Sequence, residues 1–320
     1  MRYLSGIQPS GTLHVGNYFG AMRRHIERQA GNDCYYFIAD YHALTTVQDA
    51  EELRRNILNV ALDYLSLGLD PQRTVFFRQS DVPEVTELTW ILATITPMGL
   101  LERAHSFKDK TAKGIEASHG LFSYPVLMAA DILIYDSERV PVGQDQKQHL
   151  EMTRDIAMKF NRLFGETLVI PEAEIDEVTA VIPGTDGQKM SKSYKNTIEM
   201  FAPPKQLKKA IAGIVTDSKT VEEPKDPETN VIYVLYRLMA SPAEAQEMAE
   251  RFRKGGYGYG DAKKALENKC LEYFGPFREK REALARDTKA VRDVLEDGAR
   301  RARAVARKTL ERVYERVGLR

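Results

Sequence analysis

Arg2-Tyr3-Leu4-Ser5-Gly6-Ile7-Gln8-Pro9-Ser10-Gly11-Thr12-Leu13-His14-Val15-Gly16-Asn17 opens the chain. Arg2–Ile7 reads as a short strand, and Pro9 and Gly11 mark a turn. Beyond it Tyr18, Met22 and Ile26 share one helical face, and Gly31 stops the segment. Strand, turn and helix in this order begin a βαβ unit. A helix that opens just after a strand presents free backbone N–H groups and a positive dipole end, which favour phosphate. This is not a P-loop: Gly11 and Gly16 have its spacing, but Asn17 stands where the lysine belongs. His14 and Asn17 offer neutral or weakly charged hydrogen bonds, and Gly16 leaves room for a flat ring on the backbone. Taken alone, the same residues also suit an N-cap at Asn17 and a structural histidine.

Working outward, further short apolar runs alternate with amphipathic stretches. The strands expected are Arg2–Ile7, Cys34–Ala39, Thr74–Gln79 and Val140–Val142. Tyr35-Tyr36-Phe37-Ile38 is aromatic and β-branched, as a buried strand requires. This alternation predicts a parallel sheet. Leu150, Thr153, Ile156, Phe160 and Leu163 repeat at helical spacing, with Asp145 placed to cap the start and Gly165 the end. After Pro183 the texture changes. Pro183-Gly184-Thr185-Asp186-Gly187 reads as a loop, and helices are expected over 204–215, 228–239, 243–254, 261–286 and on to about Val317. The boundary falls at 183/184, giving domains 1–183 and 184–320, with the last helix free to pack back on the first. Gly255 to Gly260 do not fit GxGxxG and read as an interhelical loop.

Forty-six basic and 46 acidic residues balance within 320. Contact with a polyanion must therefore come from a local patch. The final helix offers one: Arg300, Arg301, Arg303, Arg307, Lys308, Arg312, Arg316 and Arg320, against Asp297, Glu311 and Glu315. It is either a solvated face or a phosphate-contacting one. Cys34 and Cys270 are too few for a disulfide framework or a cysteine metal site, and the histidines form no HExxH pair. No signal peptide or membrane-length apolar run is present, so the expected location is the cytoplasm.

Two further constellations carry chemistry. Lys189-Met190-Ser191-Lys192-Ser193 sets two lysines three apart on a loop, suited to neutralising a triphosphate whose charge shifts during reaction. Alone, it is equally a solvated basic turn. Tyr124-Pro125-Val126-Leu127-Met128-Ala129-Ala130-Asp131-Ile132 places Tyr124, Met128 and Asp131 on one side of a helix. A carboxylate within an apolar run needs a partner. An indole N–H or a protein cation would serve, and Met128 offers a polarisable surface to a ring.

Together, HxGN near the start and KMSKS after the glycine loop resemble the paired signatures of class I aminoacyl-tRNA synthetases. Ser5 to Gly11, Tyr124 to Asp131 and Pro141-Val142-Gly143-Gln144-Asp145-Gln146-Lys147-Gln148-His149 are similar to bacterial tryptophanyl-tRNA synthetases. So are Asp40-Tyr41-His42-Ala43, Phe107-Lys108-Asp109-Lys110 and Val215-Thr216-Asp217-Ser218, in order along the chain. The resemblance implies an α/β fold, a Rossmann-type parallel-sheet catalytic domain followed by an all-helical tRNA-binding domain. It implies a homodimer that uses ATP with Mg²⁺, L-tryptophan and tRNA(Trp). Asp131 would bind the indole N–H. Tyr124, Gln8 and Gln146 would hold the ammonium and carboxylate, and Leu4, Met128, Ile132 and Val142 would line the slot. Gln8, Pro9, Ser10, Gly16, Asn17, Gly143, Gln144, Asp145, Ile182 and the Lys189–Ser193 loop would contact ATP. His14, Lys110, Lys189 and Lys192 would carry catalysis at the phosphates.

Three departures stand out: Leu4 replaces a frequent phenylalanine, Gln144 a common glutamate, and the linker before Lys189 is short. Two cysteines exclude the iron–sulfur site that some members build from several, and no protein-bound metal is expected. A tyrosyl-tRNA synthetase shares the architecture, but usually spells the lysine loop without Met190-Ser191. A non-catalytic tRNA-binding paralogue would not need His14 and both loop lysines. A plain nucleotidyltransferase leaves the helical half without a task.

Overall fold

The computed structural model describes residues 1–104, 118–143, 146–175 and 182–320. By contact, they form two units whose segments interleave along the chain. One comprises Met1–Gly11, His25–Glu177 and Asp287–Arg320, the other Thr12–Arg24 and Val178–Arg286.

The first unit holds a parallel sheet. Among the described residues its strands are β1 (Arg2–Ile7), β2 (Asp33–Ile38), β3 (Thr74–Arg78), β4 (Arg139–Val142) and β5 (Glu172–Ile175), in the order β3-β2-β1-β4-β5. Leu4 pairs with Tyr35, and Tyr35 with Val75. The interior strand β2 is buried at every position after Asp33, which is why its aromatic run could be read as a strand. β5 was not foreseen. Its sequence, Glu-Ala-Glu-Ile, alternates polar and apolar residues, but the run is only four residues long and carries two carboxylates, too short a signal to stand out.

Helices α1 (Ala50–Leu67), α2 (Glu84–Ile95), α3 (His119–Leu133) and α4 (Lys147–Phe164) belong to this unit. Asp49 caps α1 by accepting from the Glu52 N–H at 2.7 Å, and Ser118 caps α3 from Leu121 at 3.2 Å. Leu150, Thr153, Ile156 and Phe160 are buried on α4 as the spacing predicts, but Leu163 is 53% exposed. The periodicity drifts off the core face there, at the last turn. Asp145, expected to cap α4, lies outside the described residues, and Gln146 occupies the N-cap.

In the second unit the described residues form helices α5 (Pro204–Ala212), α6 (Val231–Arg237), α7 (Pro242–Lys254) and α8 (Tyr259–Arg286) and no named strand. Ser241 and Glu244 form a reciprocal capping box on α7. The segment Thr12–Arg24 joins this unit through aromatics: Tyr18 packs edge-on against Phe274 and its hydroxyl lies 3.1 Å from that of Tyr273.

The final helix, α9 (Thr288–Val317), returns to the first unit and lies along β3. It gets close because Gly298 has no side chain. A Cβ there would stand 1.9 Å from the Phe76 carbonyl oxygen. Val291, Leu295, Ala299, Ala302, Ala306, Leu310 and Val313 form its buried stripe. A sheet edge exposes unpaired backbone groups, and covering it with a helix removes that liability. Arg301 completes the cover by donating to the Pro71 carbonyl at 2.7 Å. Among the described residues, no helix is long and apolar enough to cross a membrane.

Candidate active site

In an open parallel sheet, the strands' carboxyl ends form the crevice where ligands bind, at the point where strand order reverses. Here that point lies between β1 and β4. Gln8 follows β1, Asp40 and His42 follow β2, Gln79 follows β3 and Gly143 follows β4. Topology therefore gathers residues that are far apart in sequence.

Asp131, on α3, is 2% exposed. Its carboxylate accepts from the His42 Nε2 at 2.8 Å on Oδ2, and from the Gln79 amide at 2.8 and 2.9 Å on Oδ1 and Oδ2. Burial raises its pKa, while the His42 and Gln79 hydrogen bonds oppose that shift by stabilising the charge. A carboxylate offers about four acceptor positions, so these donors leave capacity for another N–H. Gln79 is itself fixed: its Oε1 accepts from the Tyr41 N–H at 3.0 Å. Asp40 ties the same two strand ends together. It accepts from Ser80 N–H at 3.0 Å, Ser80 Oγ at 2.5 Å and Tyr41 N–H at 3.1 Å.

Gln8 and Tyr124 both approach His42, the Tyr124 ring edge-on at 6.1 Å. The Gln8 amide donates to the His42 carbonyl at 3.1 Å, which leaves its oxygen for a ligand cation. The Tyr124 hydroxyl lies 2.5 Å from His149 Nε2. Met128 and Val142 are partly buried against the core, whereas Leu4 and Ile132 are enclosed at 1% and 2% exposure. Gln146 is exposed at the start of α4, with its N–H donating to the Gly143 carbonyl at 2.9 Å. Pro9 is buried and Ser10 exposed, and the turn is closed by the Ser10 N–H to the Gln8 carbonyl at 2.9 Å.

In the second unit the two signature motifs meet. Val15 N–H donates to the Ile198 carbonyl at 2.9 Å, and His14 bridges Glu199. Gly16 N–H points at the Met190 sulfur at 3.3 Å. A side chain at Gly16 would come within 3.2 Å of the Met190 Cβ and 3.0 Å of the His14 ring. Met190 is thus the buried pin of the lysine loop, 5% exposed, with its N–H on the Ile182 carbonyl at 2.8 Å. Lys189 is exposed on one side of it and Lys192 half-buried on the other, while Ser191 and Ser193 flank Lys192.

Burial, with the Lys192 charge, lowers the His14 pKa to about 4. The imidazole is therefore neutral near pH 7. Its Nδ1 is buried with no partner among the described residues. Asn17 caps the turn in reverse, its amide oxygen accepting from the His14 N–H at 3.1 Å.

Asn196 organises the lysine loop and was not foreseen. It is 2% exposed, accepts from Ser191 N–H at 2.8 Å, and donates to Asp186 at 2.7 Å and to the Lys189 carbonyl at 3.0 Å. Asp217, in the Val215–Ser218 motif, accepts from the Tyr259 hydroxyl at 2.5 Å and orders its own loop. Lys110, Gln144 and Asp145 lie outside the described residues.

The basic stripe of α9 was expected to be either a solvated face or a phosphate-contacting one. Much of it is instead used inside the unit. Arg303 and Arg307 both clamp Glu84, Arg312 reaches Asp136 at 2.6 Å, and Arg300 pairs with Asp297. Burial alone would raise Glu84, but Arg303, a backbone hydrogen bond and Arg307 overcome it and hold the carboxylate below its usual range.

The first unit carries a Rossmann-type sheet, and the second a neutral histidine turn and a paired-lysine loop pinned by methionine, the parts expected of a class I synthetase. The family model described as tRNA synthetases class I (W and Y) matches residues 1–275, and the chain belongs to that family. Within it, the full-length likeness is to tryptophan–tRNA ligases. That of Rhodopirellula baltica is 58% identical over 100% of both chains. The crystal structure of tryptophanyl-tRNA synthetase from Campylobacter jejuni, complexed with ADP and tryptophan, matches with a TM-score of 0.95. It is 52% identical and covers 99% of this chain and 100% of its own. Tyrosyl-tRNA synthetase from Archaeoglobus fulgidus, 21% identical with a TM-score of 0.67 over 88% of this chain and 90% of its own, shares the fold.

Proposed function

We infer that the chain is a tryptophan–tRNA ligase, which activates L-tryptophan with ATP and transfers it to the 3′ end of tRNA(Trp). The observation that carries this reading is a buried carboxylate, Asp131, set at the strand carboxyl ends in a chain whose full-length relatives bear that name. Asp131 accepts the indole N–H. Met128 and Val142 flank the ring, with Leu4 and Ile132 behind them. The Gln8 oxygen, Tyr124 and Gln146 hold the ammonium and carboxylate. Gln8 to Ser10, Gly16, Asn17, Gly143 to Asp145, Ile182, Met190, Ser191 and Ser193 contact ATP.

The substrate carboxylate is ionised near neutral pH and needs no general base. It attacks the α-phosphorus, the bond to the β-phosphate oxygen breaks, and pyrophosphate leaves. Catalysis is positioning and charge stabilisation. Neutral His14 donates a hydrogen bond, and Lys110, Lys189 and Lys192 meet the phosphates. Among the described residues no three His, Cys, Asp or Glu side chains gather as a metal site. The donors beside His14 are cationic, which suits Mg²⁺ arriving on the triphosphate and held by phosphate oxygens and water. When bound, it neutralises phosphate charge. The aminoacyl group then passes to the 2′-hydroxyl of the terminal adenosine, with the helical unit engaging the tRNA.

The enzyme works in the cytoplasm as a homodimer. An apolar surface on and after α2 supports the second copy. Trp90 and Met98 are 73% and 62% exposed there, and Ala93 and Pro97 are exposed beside them.

Two measurements test the reading. ATP–pyrophosphate exchange should respond to tryptophan and not to tyrosine; preference for tyrosine would overturn the assignment. Lys192→Ala should lower exchange by about 10²–10³-fold with tryptophan affinity little changed. Wild-type exchange in that variant would remove the lysine loop from the chemistry.

A further inference from the structure

We infer that Gln79 is the positioning residue that makes Asp131 selective for a ring N–H; the inference rests on the reading of Asp131 as the indole acceptor. Gln79 is 1% exposed at the end of β3. A buried amide can in principle present either its oxygen or its NH₂ to a neighbour. Here the choice is made by the main chain. The Tyr41 N–H occupies the Gln79 oxygen at 3.0 Å, so the NH₂ must face Asp131. It does so within 2.9 Å of both carboxylate oxygens. Asp40 fixes the same corner by binding the Tyr41 and Ser80 N–H groups, so the N–H that orients the Gln79 amide is itself held in place.

The consequence concerns which state of Asp131 meets the ligand. A fixed donor on both oxygens favours the charged carboxylate, which accepts and cannot donate. A protonated acid could turn its O–H outward and satisfy a ring that lacks an N–H. With Gln79 in place, an apolar or acceptor atom in the ring leaves a buried charge short of a partner, and such a mismatch discriminates strongly. His42 supplies the remaining donor at 2.8 Å, but its ring can exchange tautomers, whereas the Gln79 amide is held from behind.

The test compares L-tryptophan with its benzothiophene analogue, in which sulfur replaces the ring N–H. Calorimetric dissociation constants are measured for both ligands with wild type, Gln79→Met and Gln79→Glu. Each variant is near the native shape, and Gln79→Glu retains an acceptor for Tyr41. Wild type should prefer tryptophan by roughly 10–100-fold, the scale of one charged hydrogen bond. In either variant that folds, the preference should narrow to within about threefold. A merely structural Gln79 would weaken both ligands together and leave the ratio intact. A wild-type ratio preserved in the variants overturns the inference and leaves Asp131 as the acceptor. Absence of preference in wild type overturns the Asp131 assignment, and the inference with it.

Discussion

His14 is enclosed to 5% exposure beside Lys192, and that environment decides its charge. An unfolded histidine titrates near 6.5, and the folded one at about 4. Between these values the unfolded chain binds a proton that the folded chain refuses. Stability from this residue is therefore complete above about 6.5 and falls as pH drops towards about 4, by up to roughly 3 kcal/mol. Thermal melting across that window should steepen with acid in wild type and flatten in His14→Asn. An unchanged slope in the variant would refute the depressed titration. His14, Lys189, Lys192 and Asp131 were legible because each sits in a local pattern that chemistry explains. Gln79 was not, and His42 stood out only as part of the Asp40–Ala43 stretch with no role, since their shared partner lies 52 and 89 residues away. A lone Gln after a strand has no distinguishing spacing, and only strand order brings it to Asp131. Asn196 was missed for a related reason. Its value lies in main-chain groups that it satisfies, which composition does not mark.

At the scale of elements, the meeting of α9 with β3 depends on Gly298. Gly298→Val would drive a side chain into the Phe76 peptide, at 1.9 Å for the Cβ alone. Neither backbone can yield without parting the helix from the edge. The cost should be about 3 kcal/mol or more, read as a lower urea midpoint for the first unit. Gly298→Val unfolding at the wild-type midpoint would mean that α9 is not seated as described. The four strands that could be read, β1 to β4, announce themselves by apolar or aromatic runs. β5 pairs with β4 through its backbone and an Arg139–Glu172 ion pair, and its four-residue Glu-Ala-Glu-Ile alternation is too short and too charged to announce a strand. The α9 arginines show the converse limit. Their number was plain, but whether they faced phosphate or carboxylate depended on Glu84 and Asp136, which only folding brings within reach.

For the whole molecule, the exposed Trp90 and Met98 surface bears on assembly. A second copy covering it predicts that Trp90→Glu shifts the enzyme from dimer to monomer in light scattering. Leu163→Glu, at another exposed apolar residue, should leave the mass alone. A dimeric Trp90→Glu would move the interface elsewhere. Trp90 is also the only tryptophan in the chain, so its fluorescence reports that contact directly. The helix α9 carries a different consequence, one that concerns synthesis on the ribosome. β3 ends at Arg78, and its covering helix begins at Thr288. At roughly 5–20 residues per second, the edge of the catalytic sheet waits for about 10–40 s before its own chain supplies the cover. During that interval the nascent protein is open to pairing with neighbours on the same message, and the enzyme that serves translation is itself exposed to the pace of translation.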